Sequence, residues 1–164
     1  MNLKQLALKS IQCAALLALS LVTRTTHADD SVPFHATYET AFSVEVTPPL
    51  ATVSATGTGL ATHLGRMDVE SISEIVNLAT GEGLASYRYT SANGDAIEVE
   101  IDFNVAPTPT GFTSSGTWRV TSGTGRFAGA SGSGSITGLI EFTGADVGVA
   151  DLTLDGVISS PGSL

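Results

Sequence analysis

The sequence has 164 residues, 7 of them basic and 16 acidic, and its net charge is −9. A surface of this charge repels phosphate backbones and anionic lipid headgroups, so the composition disfavours binding to nucleic acid or to a charged membrane.

Residues 1–28 are predicted to be a cleaved signal peptide. Lys4 and Lys9 give a positive start, an apolar run follows over 11–22, and residues 26–28 (Thr-His-Ala) resemble a signal peptidase site. The apolar run is shorter than the roughly 20 residues that span a bilayer, which disfavours a membrane anchor. Cleavage would leave one domain, residues 29–164, in a secreted or periplasmic location and not bound to a membrane. This domain has four arginines against 16 acidic residues, a net charge of −12, and no cysteine to form a disulfide.

Residues 29–164 alternate apolar and polar side chains at period two, and no window has apolar residues at helical spacing for three turns. In the first such segment Phe34, Tyr38 and Phe42 share one face, while Thr37 and Glu39 share the other. The pattern predicts eight strands, at 34–46, 51–64, 67–78, 84–90, 96–104, 112–121, 135–143 and 147–159. No connection is long enough for a crossover helix, so we expect an all-β fold. An eight-stranded antiparallel barrel is favoured because closure removes the exposed strand edges.

The clearest hairpin joins the fourth and fifth predicted strands around Asn93-Gly94. A two-residue turn would place Tyr89 opposite Glu98. A three-residue loop with Gly94 in a left-handed conformation would place Tyr89 opposite Ile97 and Arg88 opposite Glu98. The second register keeps apolar residues on one face and opposite charges on the other, so it is the predicted one.

A glycine-rich segment, residues 123–134, is predicted to be a tight connection between strands. Its Gly-x-Gly-x-x-Ala spacing matches a dinucleotide-binding fingerprint, but that motif needs a following helix, and the glycines at 129, 132 and 134 disfavour one. We therefore expect a turn with positive φ at glycine and with Phe127 plugging one end of the barrel.

The same segment carries a family resemblance. Residues 123–138, GTGRFAGASGSGSITG, are similar to the glycine-rich turn and following strand of the allene oxide cyclase-like barrel superfamily, and dirigent proteins carry a similar Gly-x-Gly-x-Phe-x-x-Ala-x-Gly pattern. Residues 58–66 resemble a second signature, found in secreted bacterial barrels of this kind. The resemblance implies a small antiparallel barrel with an apolar lumen, often oligomeric. Some members of the superfamily steer the cyclisation or coupling of a hydrophobic substrate without a cofactor, so the resemblance also implies an activity of this kind.

Five aromatic residues fall on the faces predicted to point inward. Tyr87, Tyr89, Phe103 and Trp118 are the candidate ligand-binding residues, with Phe127 at the end of the lumen. These side chains could line a pocket for an apolar ligand. They could equally fill the lumen, because eight strands enclose little spare volume.

His63 and Arg66 are the candidate catalytic residues, placed at a polar end of the lumen. The ordinary pKa of histidine, about 6.5, makes His63 the best available general acid or base if it points inward. The alternative is a structural histidine hydrogen-bonded at a strand end. His35 and His63 have no spacing typical of a metal site, so no metal is predicted.

Glu98, Glu100 and Asp102 share one face of a predicted strand. They could hold a cation or act as acid and base. Calcium sites usually gather carboxylates on a loop, so a solvated outer face paired with Arg88 and Arg119 is favoured.

The sequence as a whole predicts a secreted barrel that binds a small hydrophobic molecule without a cofactor. The hypothesis includes cyclase-like, isomerase-like or dirigent-like control of a reaction of the bound molecule. It also includes a homo-oligomeric state. The alternative is a non-catalytic secreted structural or interaction module whose lumen is filled.

Overall fold

The computed structural model describes residues 31–159, and the predicted signal peptide lies outside them. A short 3-10 helix, Gly125–Phe127, lies between the sixth and seventh strands. The described residues form eight strands: β1 (Ser31–Thr47), β2 (Leu50–Ala61), β3 (Gly65–Asn77), β4 (Glu82–Ser91), β5 (Ala96–Pro107), β6 (Phe112–Gly123), β7 (Gly132–Phe142) and β8 (Val147–Ser159).

Each strand pairs antiparallel with the next, and β8 pairs with β1, so the sheet closes into a barrel. The predicted all-β, eight-stranded antiparallel barrel is therefore confirmed. Within residues 31–159 no helix is long and apolar enough to cross a membrane.

The β4–β5 hairpin has the predicted register. Tyr89 lies opposite Ile97 and Arg88 opposite Glu98. Gly94 has a φ of 89°, the left-handed conformation that the three-residue loop requires. The apolar residues of this hairpin consequently face the lumen, and its charges face solvent.

Two of the three outer carboxylates of β5, Glu98 and Glu100, are paired with arginines, as the favoured interpretation stated, and no ion pair of Asp102 is found within residues 31–159. Arg88 Nε donates to Glu98 Oε1 at 3.0 Å, and Arg119 Nη2 donates to Glu100 Oε2 at 2.6 Å. The hydrogen bond from Arg88 lowers the pKa of Glu98, with a smaller contribution from the hydroxyl of Ser122. These ion pairs lie on the solvent-exposed outer face of the sheet, where such pairs contribute little to stability.

Because successive strands run in opposite directions, their connections alternate between the two ends of the barrel. We call one end the plugged end; it carries the connections at 62–64, 92–95 and 124–131. Phe127 there has no exposed surface, as predicted, and it follows Gly125, whose φ is positive. We call the other the open end; its connections are 48–49, 78–81, 108–111 and 143–146.

The plugged half of the lumen is filled by large side chains. Trp118 is 2% exposed, its ring centroid lies 5.3 Å from that of Phe34, and its Nε1 donates to the carbonyl oxygen of Asp155 at 3.3 Å. The side chains of Met67, Tyr89 and Phe127 are also fully buried. This half of the barrel is a conventional close-packed core.

The glycine-rich segment differs from its prediction in one respect: its last residues already belong to β7. Gly134 lies opposite Trp118 on β6 and Gly156 on β8. A Cβ added at Gly134 would stand 1.9 Å from the carbonyl oxygen of Asp155, so no other residue fits this position without movement of the backbone. Glycine is thus required here by the close approach of two strands, and it does not end the strand.

A β-bulge in β3 sets which of its side chains face the lumen. Ser71 pairs with Tyr87, and Ser73 pairs with Ser86, the residue before Tyr87 in the antiparallel strand β4. Ile72 is therefore the extra residue. Before the bulge Met67 and Val69 point inward, and after it Val76 does. The inward positions therefore change from odd to even numbers along β3.

Candidate functional site: an apolar cavity at the open end

The open half of the lumen contains a cavity of about 140 Å³. Its wall includes Val53, Ala85, Ile101, Ile136 and Ala150, one residue from each of five strands. The barrel is thus filled in one half and hollow in the other. The sequence analysis considered either a lined pocket or a filled lumen, and the structure combines the two.

Aromatic side chains surround the mouth of the cavity. Phe142 lies 5.3 Å from Phe42 and 6.1 Å from Phe112, measured between ring centroids, in edge-to-face arrangements. Phe142 and Leu78 both line the cavity and are both exposed to solvent. An apolar molecule would therefore meet an apolar rim before it enters the lumen.

The floor of the cavity is a cluster of three tyrosines, of which Tyr38 and Tyr87 line the cavity and Tyr89 lies beneath them. The ring centroid of Tyr38 lies 6.4 Å from that of Tyr87 and 5.4 Å from that of Tyr89. The hydroxyl of Tyr89 donates to the hydroxyl of Tyr38 at 3.0 Å. These contacts hold the floor in a fixed position.

Glu74 of β3 brings a carboxyl group to this floor. It lines the cavity, and the hydroxyl of Tyr87 donates a short hydrogen bond to its Oε2. Within residues 31–159, Tyr87 supplies the one side-chain hydrogen bond that Glu74 makes. The second carboxyl oxygen is consequently available to a molecule in the cavity.

Burial raises the pKa of Glu74, and the hydrogen bond from Tyr87 offsets part of this effect. Burial also raises the pKa of Tyr87, and the neighbouring Glu74 carboxylate raises it further. A carboxyl group with a raised pKa is a better proton donor near neutral pH than one with the ordinary value. Chemically, the cavity offers an apolar wall with one acid–base group at its floor.

Two of the four predicted ligand-binding residues line the cavity. Tyr87 is part of its floor and Phe103 part of its wall. Tyr89 and Trp118 are buried on the far side of the floor, in the filled half of the lumen. All four point inward as predicted, but the structure divides them between a cavity and a packed core.

The predicted catalytic pair lies elsewhere. His63 is in the connection between β2 and β3 at the plugged end, is exposed, and its Nε2 donates to the carbonyl oxygen of Pro33 at 3.1 Å. Arg66 is exposed near the start of β3, opposite Leu60. Neither lines the cavity, so they do not form its polar end; His63 fits the alternative of a structural histidine at a strand end.

Glu74 was not a candidate in the sequence analysis. Regular alternation along β3 extends the inward positions from Met67 and Val69 to Ile75 and places Glu74 outside. The bulge reverses this, so that Ile75 is exposed and Glu74 faces the lumen. The signal in the sequence was the shift of apolar residues from odd to even positions between Val69 and Val76.

Between residues 31 and 159 no three histidine, cysteine or acidic side chains lie close enough together to hold a metal ion.

Replacing Glu74 with glutamine is expected to remove part of the pH dependence of stability. Because the pKa of Glu74 is raised on folding, the native state binds its proton more tightly than the unfolded chain does. Its contribution to stability is therefore full below the unfolded pKa of about 4.5 and is lost as the pH rises through the native pKa. Glutamine can still accept the hydrogen bond from Tyr87, so the variant should gain melting temperature relative to the wild type across this pH range.

The matched control is Glu98→Gln, for which the opposite sign is expected. Arg88 lowers the pKa of Glu98, so its contribution is present at neutral pH and is lost as the pH falls through the native pKa. Melting curves of the three proteins at a series of pH values measure both effects. A Glu74→Gln curve parallel to that of the wild type would contradict the prediction.

Comparison with known proteins bears on the fold. No protein-family model and no curated protein matches the sequence. Among solved structures, the barrel resembles the pterocarpan synthase dirigent protein GePTS1, with a TM-score of 0.50 over 79% of this chain and 89% of that chain. The fold is a dirigent-like barrel. At 8% sequence identity the likeness concerns the fold alone. The allene oxide cyclase-like and bacterial parts of the resemblance stay predictions.

Proposed function

We propose that this dirigent-like barrel binds a small hydrophobic molecule in the cavity at its open end and steers its cyclisation or isomerisation without a cofactor. The observation that carries the proposal is the hollow, apolar half of a lumen whose other half is packed solid. A core that served stability alone would gain from filling this space, because empty volume in a core is costly. Export to the periplasm or beyond is part of the proposal and rests on residues 1–28.

Glu74 and Tyr87 are the residues to which we assign the chemistry. A proton donated by Glu74 to a carbonyl, hydroxyl or epoxide oxygen of the bound molecule would promote ring closure or isomerisation, and the carboxylate could later take a proton back. Tyr87 holds the carboxyl group in place, and the apolar wall keeps water away from the reacting group. In this proposal Glu74 takes the part that the sequence analysis gave to His63.

The alternative function is that of a structural or interaction module without a ligand. The filled half of the lumen favours this reading for the plugged end, where Tyr89 and Trp118 pack among other side chains. It gives no reason for the cavity or for a carboxyl group at its floor. We therefore rank it second.

Filling the cavity tests the proposal. Toluene is expected to bind the wild-type protein and to raise its melting temperature, since a ligand at 100 times its Kd stabilises the native state by about 2.7 kcal/mol. Ala150 lies in the wall, and Ala150→Phe would place a ring in the space that the ligand needs. This variant should lose the toluene-dependent rise.

The matched control is Ala41→Phe, because Ala41 points outward on the neighbouring strand β1 and is exposed. It should keep the full rise in melting temperature with toluene. If toluene, p-cresol and 2-naphthol all leave the wild-type melting temperature unchanged, the proposed function is wrong.

A further inference from the structure

The size of the cavity limits what it can hold. An engineered protein cavity of about 150 Å³ lined by leucine, isoleucine and phenylalanine binds benzene. The cavity in this barrel is about 140 Å³, and its wall has the same kind of lining. One six-membered ring with a small substituent therefore fills it.

The floor prevents a longer molecule from reaching deeper. Tyr87 and Tyr89 are stacked, with an interplanar angle of 12° and centroids 6.3 Å apart, and Tyr38 is tilted against both. Beneath them the lumen is occupied by Trp118 and Phe34, whose rings are in contact. A second ring could extend only through the mouth, where it would contact the rim at Phe142 and Leu78 but stay partly in solvent.

The polarity of the lining selects the substituent. Glu74 is the one ionisable acid or base, tyrosines apart, among the described residues that line the cavity. Tyr87 takes one of its oxygens, and the hydroxyls of Thr40 and Ser114, which also line the cavity, are further hydrogen-bonding positions. An anionic ligand would lose its hydration against the apolar wall, and no lysine or arginine of residues 31–159 lines the cavity to compensate its charge.

The electrostatics of the floor favour a neutral partner. Burial raises the pKa of Glu74, which makes its carboxyl group a weaker charged partner for an ammonium group. The neutral acid can donate a hydrogen bond to a ligand oxygen and accept one from a hydroxyl.

We propose that the ligand is a neutral molecule of one ring that carries an oxygen-bearing group, bound with the ring against the apolar wall and the oxygen at Glu74. This inference rests on the proposed function and narrows its substrate class to monocyclic phenols, alcohols and carbonyl compounds. The two-ring and larger molecules that would need a deeper lumen are excluded.

Three probes of related shape test the inference by isothermal titration calorimetry: toluene, p-cresol and 2-naphthol. Toluene and p-cresol differ by one oxygen, and 2-naphthol adds a second ring. We expect 2-naphthol to bind the wild-type protein at least tenfold more weakly than p-cresol. Equal or tighter binding of 2-naphthol would overturn the limit of one ring.

The variant Glu74→Leu tests the position of the oxygen. A hydrogen bond to a buried carboxyl group is worth about 1.4 kcal/mol, or a factor of ten in affinity. The ratio of the Kd values of p-cresol and toluene should therefore shift about tenfold toward toluene in the variant. An unchanged ratio in a folded variant would overturn the role of Glu74.

A second variant, Glu74→Gln, keeps the test valid if Glu74→Leu does not fold. Glutamine can still accept the hydrogen bond from Tyr87 and can still hydrogen-bond to an oxygen of the ligand. It should retain most of the preference for p-cresol, and loss of the whole preference would count against the inference. Failure of the inference is distinct from failure of the proposed function. In the first case the probes bind without the expected order, and in the second none of them binds.

Discussion

Replacing Trp118 with alanine is expected to lower the free energy of unfolding by about 3–5 kcal/mol, the range typical of large aromatic residues in cores. The indole ring is 2% exposed, packs on Phe34 and donates a hydrogen bond to the carbonyl oxygen of Asp155. It lies opposite Gly134, which in turn lies opposite Gly156. Glycine offers no side chain that could move into the vacated space, so we expect the upper part of the range.

Urea unfolding measures the loss as a lower midpoint with an unchanged slope. The control is Thr117→Ala, the exposed neighbour of Trp118 on β6, which should change the free energy of unfolding by less than about 0.5 kcal/mol. A loss below about 1.5 kcal/mol for Trp118→Ala would mean that the plugged half of the barrel does not carry the stability assigned to it.

The fold could be predicted because its main signals are local. Alternation at period two fixes which residues face inward, and Tyr87, Tyr89 and Trp118 are buried as that pattern requires. The register of the β4–β5 hairpin followed from keeping Arg88 and Glu98 on one face. Each of these inferences needs only neighbours in the chain and the period of a strand.

The site could not be predicted in the same way, because it depends on where alternation is interrupted. A bulge adds one residue without a strong composition signal, and it moved Glu74 from the predicted outer face to the lumen. The position of His63 depended on which end of the barrel its connection occupies relative to the cavity. The sequence does not show at which end of the barrel the cavity lies, because which half of the lumen is filled depends on the packing of side chains from several strands.

Under the proposed function, the packed half of the lumen supplies stability and the hollow half holds the ligand. Large rings at the plugged end supply buried apolar area, while alanines at Ala85 and Ala150 leave space at the open end. The tyrosine floor separates the halves and ties the carboxyl group of Glu74 to the packed side through Tyr87. A rigid support of this kind is what an acid–base group needs in order to be held in one position.

The bulge in β3 leads to the second large expected effect. Ile72 and Ile75 are both exposed, 50% and 44%, and deleting either one shortens the strand by one residue and allows regular pairing with β4. Deletion of Ile72 keeps Glu74 opposite Ala85, facing the lumen. Deletion of Ile75 with loss of the bulge instead places Ser73 opposite Ala85 and turns Glu74 toward solvent.

The two deletions should therefore fold alike and differ in the site. Met67, Val69 and Val76 keep their inward positions in both variants, so both should unfold cooperatively. The deletion of Ile72 should keep the pH dependence that Glu74 contributes and the preference for p-cresol over toluene. The deletion of Ile75 should lose both, with a shift of about tenfold in the ratio of Kd values, the worth of one buried hydrogen bond.

Each protein lacks one exposed isoleucine from the same strand, and the two differ in whether Glu74 or Ser73 faces the lumen. Melting curves across the acidic to neutral pH range and calorimetry with the two one-ring probes give independent measurements. If both deletions keep the preference for p-cresol, the oxygen of the ligand does not bind at Glu74. If both lose it while remaining folded, the bulge itself shapes the cavity, and its extra residue at Ile72 is needed to hold the carboxyl group in position.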